Sequence, residues 1–334
     1  MVLSKVPFGS TGMEVTRVGF GAWAVGGGGW AFGWGAQDDE KSVAALRHAV
    51  EAGVNWVDTA AVYGLGHSER VVAEALRGMP EADRPYIFTK CGLRWNEEDP
   101  YEPQRRVGAP ASIRWEVEQS LERLEVERID LYQMHWPAED GTPLEEYWDA
   151  LLRLKEEGKI RAAGLSNHSV AQLEVAEKLG HVDSLQPPFS AIRRTSAPEI
   201  AWCAAHSTGV IVYSPMQSGL LSGTMTAERV RALEDDWRAR DPEFQGERLA
   251  RNLALADALR PIAAQRKVSV GAIAVSWALS WPGVTGAIVG ARDAAQVDGW
   301  LPAASLELTT EELGAISKAI VSTGAGDGPV RPEE

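Results

Sequence analysis

The feature that most constrains this 334-residue chain is an alternation that runs from end to end without changing style. Short apolar runs occur at Val18–Phe20, Trp56–Asp58, Tyr86–Thr89, Leu131–Met134, Ala162–Leu165, Ser184–Leu185, Gly209–Tyr213 and Thr285–Val289. Between them lie segments with apolar residues at helical spacing, such as Val43, Leu46 and Val50, or Ile113, Val117, Leu121 and Leu124. The apolar runs are too uniform to be strands with one wet face, so both faces are covered, as in a parallel sheet. Eight strand-helix units of this kind close naturally into a (β/α)8 TIM barrel, an α/β fold. A doubly wound open sheet is the alternative. It is weakened because the glycine-rich loop Gly26–Gly35 lacks the G-x-G-x-x-G spacing of a dinucleotide turn.

No change of composition marks a linker, so residues 1–323 read as a single domain. An N-terminal β-hairpin turning at Gly9–Gly12 precedes the first barrel strand, and extra helices near Asp293–Leu301 and Thr309–Ser322 close the chain. Residues 224–246 are charged and irregular, the longest break in the alternation, and residues 324–334 read as a disordered tail. A formal net charge of −14 argues against nucleic acid or an anionic membrane as the main partner. It leaves room for a local basic pocket. The two cysteines, Cys91 and Cys203, are far apart and in no metal-ligand spacing, which reads as two reduced thiols and no metal site. With no apolar leader at the start and no run of spanning length, the expectation is a cytoplasmic protein.

In such a barrel the C-terminal strand ends share one mouth. The second strand delivers Asp58 and, in the turn beyond it, Tyr63; the third delivers Lys90; the fourth delivers His135. Singly, each has an ordinary structural explanation. Their fall at consecutive strand ends is what points to chemistry, and the set suits carbonyl reduction. A phenol with a free pKa near 10 is a poor acid at neutral pH. A buried Lys90 ammonium would lower that pKa, Asp58 would keep the ammonium charged and oriented, and His135 would donate a hydrogen bond to the carbonyl. None of these groups carries a hydride, so the reaction requires a cofactor. Trp23, Trp30, Trp34, Trp95 and Trp136 suggest an aromatic-walled substrate pocket fit for sugars or flat aromatic aldehydes. The loop tryptophans could equally pack down on the barrel rim.

Eight segments carry a family resemblance: Asp-Thr-Ala-Ala-Val-Tyr-Gly (58–64), Thr-Lys-Cys-Gly (89–92), Gln-Met-His-Trp-Pro (133–137), Gly-Leu-Ser-Asn (164–167), Gln186, Tyr-Ser-Pro-Met (213–216), Gly-Leu-Leu-Ser-Gly (219–223) and Ile-Val-Gly-Ala-Arg (288–292). Over nearly its whole length the chain resembles the aldo-keto reductase superfamily. Its Gly-Ala-Trp start and Arg292 segment look most like the bacterial branch of aldose, glyceraldehyde and inositol-pathway reductases. The resemblance implies an NADPH-dependent reductase with Asp58, Tyr63, Lys90 and His135 as catalytic tetrad. It also implies that Ala22 and Trp23 border the cofactor, that Ser166, Asn167 and Gln186 hold the nicotinamide carboxamide, and that Tyr213 stacks on the ring. Ser214, Pro215, Met216, Ser218, Gly219 and Leu220 would follow the pyrophosphate. Gly290 and Arg292 would hold the 2′-phosphate, with Gln296 and Trp300 near the adenine. Trp300 stands where the family usually has asparagine, and Gly299 replaces a common acidic residue; stacking on adenine or simple helix packing would each explain Trp300.

Two other readings exist. Barrels of this family can serve as cofactor-sensing regulatory subunits of partner proteins, although nothing here resembles an added docking domain. A hydrolase using Asp58 and Glu69 as paired carboxylates fails on context, since Glu69 falls in a first helical turn where it suits the dipole. The expected partner is a small carbonyl substrate, and the sequence does not decide between monomer and homo-oligomer.

Overall fold

The structure is a computed structural model that describes residues 3–234 and 236–332. Strands β1 (Lys5–Pro7) and β2 (Glu14–Thr16) form the expected antiparallel hairpin. Then β3 (Val18–Gly21), α1 (Asp39–Glu51), β4 (Trp56–Asp58), α2 (His67–Leu76) and β5 (Tyr86–Cys91) begin the alternation. A two-stranded ribbon of β6 (Leu93–Arg94) and β7 (Arg105–Arg106) interrupts it, in a stretch the sequence presents as polar loop. It resumes with α3 (Pro110–Leu124), β8 (Ile129–Met134), α4 (Leu144–Glu156), β9 (Ile160–Ser166), α5 (Val170–Leu179), β10 (Ser184–Gln186), α6 (Ala197–His206) and β11 (Gly209–Val212). Beyond the irregular stretch, which among the described residues holds the short α7 (Ala227–Arg231) and 3-10 turns, come α8 (Gly246–Arg266), α9 (Val270–Leu279), β12 (Gly286–Gly290), α10 (Ala294–Trp300) and α11 (Thr310–Thr323).

Strands β3, β4, β5, β8, β9, β10, β11 and β12 pair in parallel and close on themselves, because β12 bonds back to β3. The helix caps are local and legible. Asp38 accepts from Lys41 N, and Ser169 with Gln172 and Thr309 with Glu312 form capping boxes.

Side chains inside the barrel lie in layers, because alternate residues of a strand face the same side. The lower layer is apolar: Trp56, Phe88, Leu131, Ala162, Ile211 and Ile288 meet Phe8, Met13 and Val15 of the hairpin segment. The hairpin therefore plugs the bottom, with Phe8 stacked on Phe88 at 5.6 Å. Trp56 fits only because Gly19 faces it: a Cβ there would lie 2.2 Å from the indole. Two positions further along the same strands the side chains become polar: Asp58, Lys90, Gln133 and then His135, Ser166, Gln186, Tyr213. One period-2 argument thus places the apolar plug below and the polar set at the mouth.

The end of the chain departs from expectation. Residues 324–332 pack rather than trail: Ala325 is buried, and Asp327 exchanges backbone hydrogen bonds with Ile192 and Arg194. The buried Arg194 guanidinium donates to the Ala325 and Gly328 carbonyls, giving a polar, glycine-rich segment a reason to stay in place. Residues 333–334 lie outside the described part.

Candidate active site

Asp58, Tyr63, Lys90 and His135 are brought together at the barrel mouth. Lys90 is fully buried, its Nζ 2.6 Å from Asp58 Oδ1 and 2.8 Å from the Thr59 carbonyl. Gln186 Nε2 donates to the other Asp58 oxygen at 2.8 Å. Burial pushes the Asp58 carboxyl above its usual range and the Lys90 ammonium below its own; their mutual attraction opposes both shifts. With both carboxylate oxygens and two ammonium N–H bonds satisfied, the ion pair is the state this geometry supports.

Tyr63 lies across the mouth from this pair, its ring centroid 5.2 Å from Lys90 Nζ and 5.8 Å from the edge-on His135 ring. Two glycines make that position possible. Gly64 turns the chain at φ +59°, and a Cβ on it would strike the Gly26 carbonyl at 2.3 Å, so the Tyr63 turn and the glycine-rich loop touch backbone to backbone. The phenol does not behave as the sequence suggested. Burial, followed by the nearby Asp58 and Tyr213, holds its pKa well above the usual range. Lys90 has committed its charge to Asp58 and Thr59, so it offsets little of this. Burial and the Lys90 and Arg106 charges push the His135 imidazole well below its usual pKa, so the ring is neutral. Among the described residues neither the Tyr63 hydroxyl nor a His135 ring nitrogen has a hydrogen-bond partner. A protonated phenol and a neutral imidazole therefore face one space with their donors free.

A second network ties the strand ends together. Tyr213 donates its hydroxyl to Asn167 Oδ1 at 2.8 Å, Asn167 Nδ2 donates to the His135 carbonyl at 3.0 Å, and Ser166 Oγ donates to the Gln186 carbonyl at 2.8 Å. Asn167 is held at φ +63°. Sequence reasoning overlooked why. His168, buried behind it, donates from Nδ1 to the Ser166 carbonyl and accepts from the Tyr147 hydroxyl, each at 2.8 Å, and its pKa is lowered to about 4. It also overlooked Glu69 as a buttress. That carboxylate is fully buried, accepts from Thr89 Oγ1 next to Lys90 and pairs with Arg123, each at 2.7 Å.

The candidate cofactor residues divide. Ser214, Ser218 and Gly219 form an irregular turn with positive φ at each, together with Pro215 and Met216, at the end of β11. Arg238, from the stretch 224–246, donates to the Ser218 carbonyl at 3.1 Å and lies close enough to Arg292 for their charges to repel. Two guanidiniums held side by side near an open turn suit phosphate groups, so the residues present fit a dinucleotide. Arg292 already binds the glycine-rich loop: its guanidinium donates to the Gln37 side chain and to the Trp34 and Ala36 carbonyls. Gly290 is exposed at its strand end, and Gln296 bonds Asp293 and the Arg292 backbone.

Four of the residues expected at the cofactor are enclosed or already engaged by other groups. Trp300 is 2% exposed, packed in the helical shell, and presents no face to an adenine. Leu220 is buried in the same shell. Ala22 is buried with both backbone polar groups taken, by the Asp58 carbonyl and the Ser68 hydroxyl. Gln186 directs its amide N–H to Asp58, a partner the carboxamide reading did not include. Of the five proposed pocket tryptophans, Trp23 stacks on Tyr63 at 6.0 Å with Trp34 edge-on at 5.1 Å. Trp30 is buried under the loop, donating to Gly27; Trp95 packs against the cluster around it, and Arg106 covers Trp136 at 4.5 Å. Among the described residues no group of His, Cys, Asp or Glu is placed to hold a metal, and no helix is long and apolar enough to cross a membrane.

Comparison with known proteins agrees with the geometry. The chain is 34% identical over 325 residues to an aldo-keto reductase of Bacillus subtilis, covering 97% of this chain and 95% of the relative. It is 31% identical to an NADH-specific methylglyoxal reductase of Escherichia coli, covering 88% and 91%. Among solved structures, a glycerol dehydrogenase of Gluconobacter oxydans superposes with a TM-score of 0.86 at 36% identity, covering 100% of this chain and 99% of that one. An aldo-keto reductase of Bacillus halodurans, solved in its holo form, gives 0.78 at 26% identity, covering 95% and 96%. The Aldo/keto reductase family profile matches residues 17–321, and the chain belongs to that family of oxidoreductases.

Proposed function

We propose that this chain reduces the carbonyl of a small aldehyde or ketone to an alcohol, with NADPH as its cofactor. The observation that carries this reading is the pairing of two uncharged donors, the Tyr63 hydroxyl and the His135 imidazole, in front of a buried Lys90–Asp58 ion pair. A carbonyl oxygen placed between them accepts hydrogen bonds from both, which polarises it. As negative charge develops there, Tyr63 gives up its proton; the oxygen being protonated is a far stronger base than a phenolate. The charge left on Tyr63 faces the Lys90 ammonium, whose third N–H is uncommitted. Hydride is the contribution of a bound nicotinamide cofactor. Asn167, Ser166 and Tyr213 lie at the strand ends where its ring would be held, and Arg238 and Arg292 stand where phosphates would be neutralised. Arg292 supports a preference for the 2′-phosphate. The Escherichia coli relative is NADH-specific by name, so that preference is a property to be measured on this chain.

The test is Tyr63→Phe, which removes one oxygen. NADPH affinity, followed by quenching of protein fluorescence, should remain nearly intact while kcat with a panel of aldehydes falls about 10²- to 10⁴-fold, the range of general acid catalysis. Equal loss of cofactor affinity and kcat would contradict the proton-donor role. Absence of turnover in the wild-type chain with every aldehyde would contradict the function itself.

A further inference from the structure

Three tryptophans from two separate loops meet beside Tyr63, on which Trp23 stacks. Trp23 stacks on Trp237 at 5.2 Å, and Trp34 sits edge-on to both, at 5.1 and 5.7 Å. Trp237 comes from the irregular stretch before α8, which crosses to the glycine-rich loop and is bound to it. The Trp237 backbone N–H donates to the Gly33 carbonyl, Arg240 donates to the Ala31 carbonyl, and the Arg238 guanidinium lies 4.6 Å from the centre of the Trp34 ring.

The indole nitrogens of this cluster are anomalous. Elsewhere Trp30, Trp56 and Trp148 each donate to a backbone carbonyl, and Trp300, alone in the helical shell, has a buried indole N–H without an acceptor among the described residues. The indole N–H groups of Trp23, Trp34 and Trp237 are all buried, and none has an acceptor among the described residues. A buried donor without an acceptor forfeits its hydration with no return, and three in one cluster is not a packing accident to be expected of a core. They adjoin the proposed proton donor through the Trp23–Tyr63 stack. The cluster calls for acceptor oxygens beyond the reacting carbonyl. A carboxylate is disfavoured as their source, because both Asp236 oxygens already neutralise Arg238, the cation nearest the rings.

We infer that Trp237, with Trp23 and Trp34, forms a hydroxyl-recognising wall of the substrate site that selects hydroxylated aldehydes and ketones over alkyl ones. This rests on the carbonyl-reductase reading and adds to it a specificity residue, Trp237, from a segment whose sequence shows no motif. A site built to hydrogen-bond a substrate hydroxyl discriminates strongly against the analogue that lacks it.

The test compares glyceraldehyde, propanal and succinic semialdehyde in the wild type and in Trp237→Phe, which keeps an aromatic ring and removes the N–H. The wild type should favour glyceraldehyde over propanal, and the ratio of their kcat/KM values should fall about tenfold in the variant, the effect of one lost hydrogen bond. An unchanged ratio would reduce Trp237 to a packing role, and a preference for succinic semialdehyde that the variant loses would make the wall an anion site; either result overturns the inference. A second readout needs no turnover. Indole N–H resonances of the wild type, assigned through Trp23→Phe, Trp34→Phe and Trp237→Phe, should move downfield on titration with glycerol and stay in place with 1-chloropropane, which has no hydroxyl. Should the wild type reduce no aldehyde, the functional reading fails, and the glycerol titration still decides whether these indoles bind hydroxyls; equal response to both compounds refutes it.

Discussion

Replacing Lys90 with methionine isolates the buried charge on which the site is built. Methionine fills the tunnel left by the lysine stem but leaves Asp58, 2% exposed, with the Gln186 amide as its remaining side-chain donor. Breaking a buried ion pair from one side costs about 3–5 kcal/mol. Asp58 can escape that cost by taking up a proton, and the cost of doing so sets a ceiling. An unfolded aspartate titrates near 3.9, so holding it protonated in the fold at pH 7 costs roughly 4 kcal/mol, at about 1.4 kcal/mol per pH unit. The sign follows: in the variant the folded state binds more protons than the unfolded state, so its stability falls as pH rises from 5 to 7. The gap between wild type and Lys90→Met should therefore widen by roughly 3 kcal/mol over that interval. Urea denaturation followed by far-ultraviolet circular dichroism at pH 5, 6 and 7 measures it. The double variant Asp58→Asn/Lys90→Met removes the stranded carboxyl and should recover most of the loss at pH 7, with little pH dependence, while kcat stays about 10²- to 10⁴-fold below wild type. A gap that is flat from pH 5 to 7, or a double variant no more stable than the single one, would refute the buried-charge reasoning.

Arg292→Ala should weaken NADPH about 10- to 100-fold relative to NADH, the value of a charge-assisted hydrogen bond to the 2′-phosphate. Fluorescence titration with both cofactors measures this, and parallel losses would show that Arg292 does not read the phosphate. The same change frees the loop that Arg292 holds through Trp34 and Ala36, so KM for the carbonyl substrate should rise as well. His168 predicts a separate acid sensitivity. Its folded pKa of about 4 lies below the unfolded value near 6.5, so the unfolded state takes up the proton first as pH falls. Stability should be insensitive to this group above pH 6.5 and lose about 2 kcal/mol between pH 6.5 and 5. His168→Gln should flatten that part of the urea-midpoint profile; an unchanged slope would remove His168 as its source.

The four candidate catalytic residues were legible because strand ends and period-2 alternation are local signals. Phe88 and Lys90, or Leu131 and Gln133, lie two apart on one strand, and the change from apolar to polar between them marks where the barrel core stops. The protonation of Tyr63 was not legible. It depends on whether Lys90 spends its charge on the phenol or on Asp58 and Thr59, and that is settled by ångström distances between strands remote in sequence. The burial of Trp300 was not legible either: its place in the sequence relative to Arg292 suits adenine, and only the rotation of α10 turns it inward. Trp237 escaped notice for the opposite reason: the segment around it has no periodicity, and its position follows from hydrogen bonds and a cation–π contact to a loop some two hundred residues earlier.

By itself, the sequence determined the barrel, its N-terminal hairpin, the helix boundaries and the list of strand-end residues, since each depends on spacing, capping and burial within a few neighbours along the chain. Tertiary structure alone decided which partner each polar group took. Gln186 is held on Asp58, Arg292 on the glycine-rich loop, Glu69 behind Thr89 and Trp237 against Trp23, because hydrogen bonds and desolvation act over a few ångströms in space and take no account of distance along the chain.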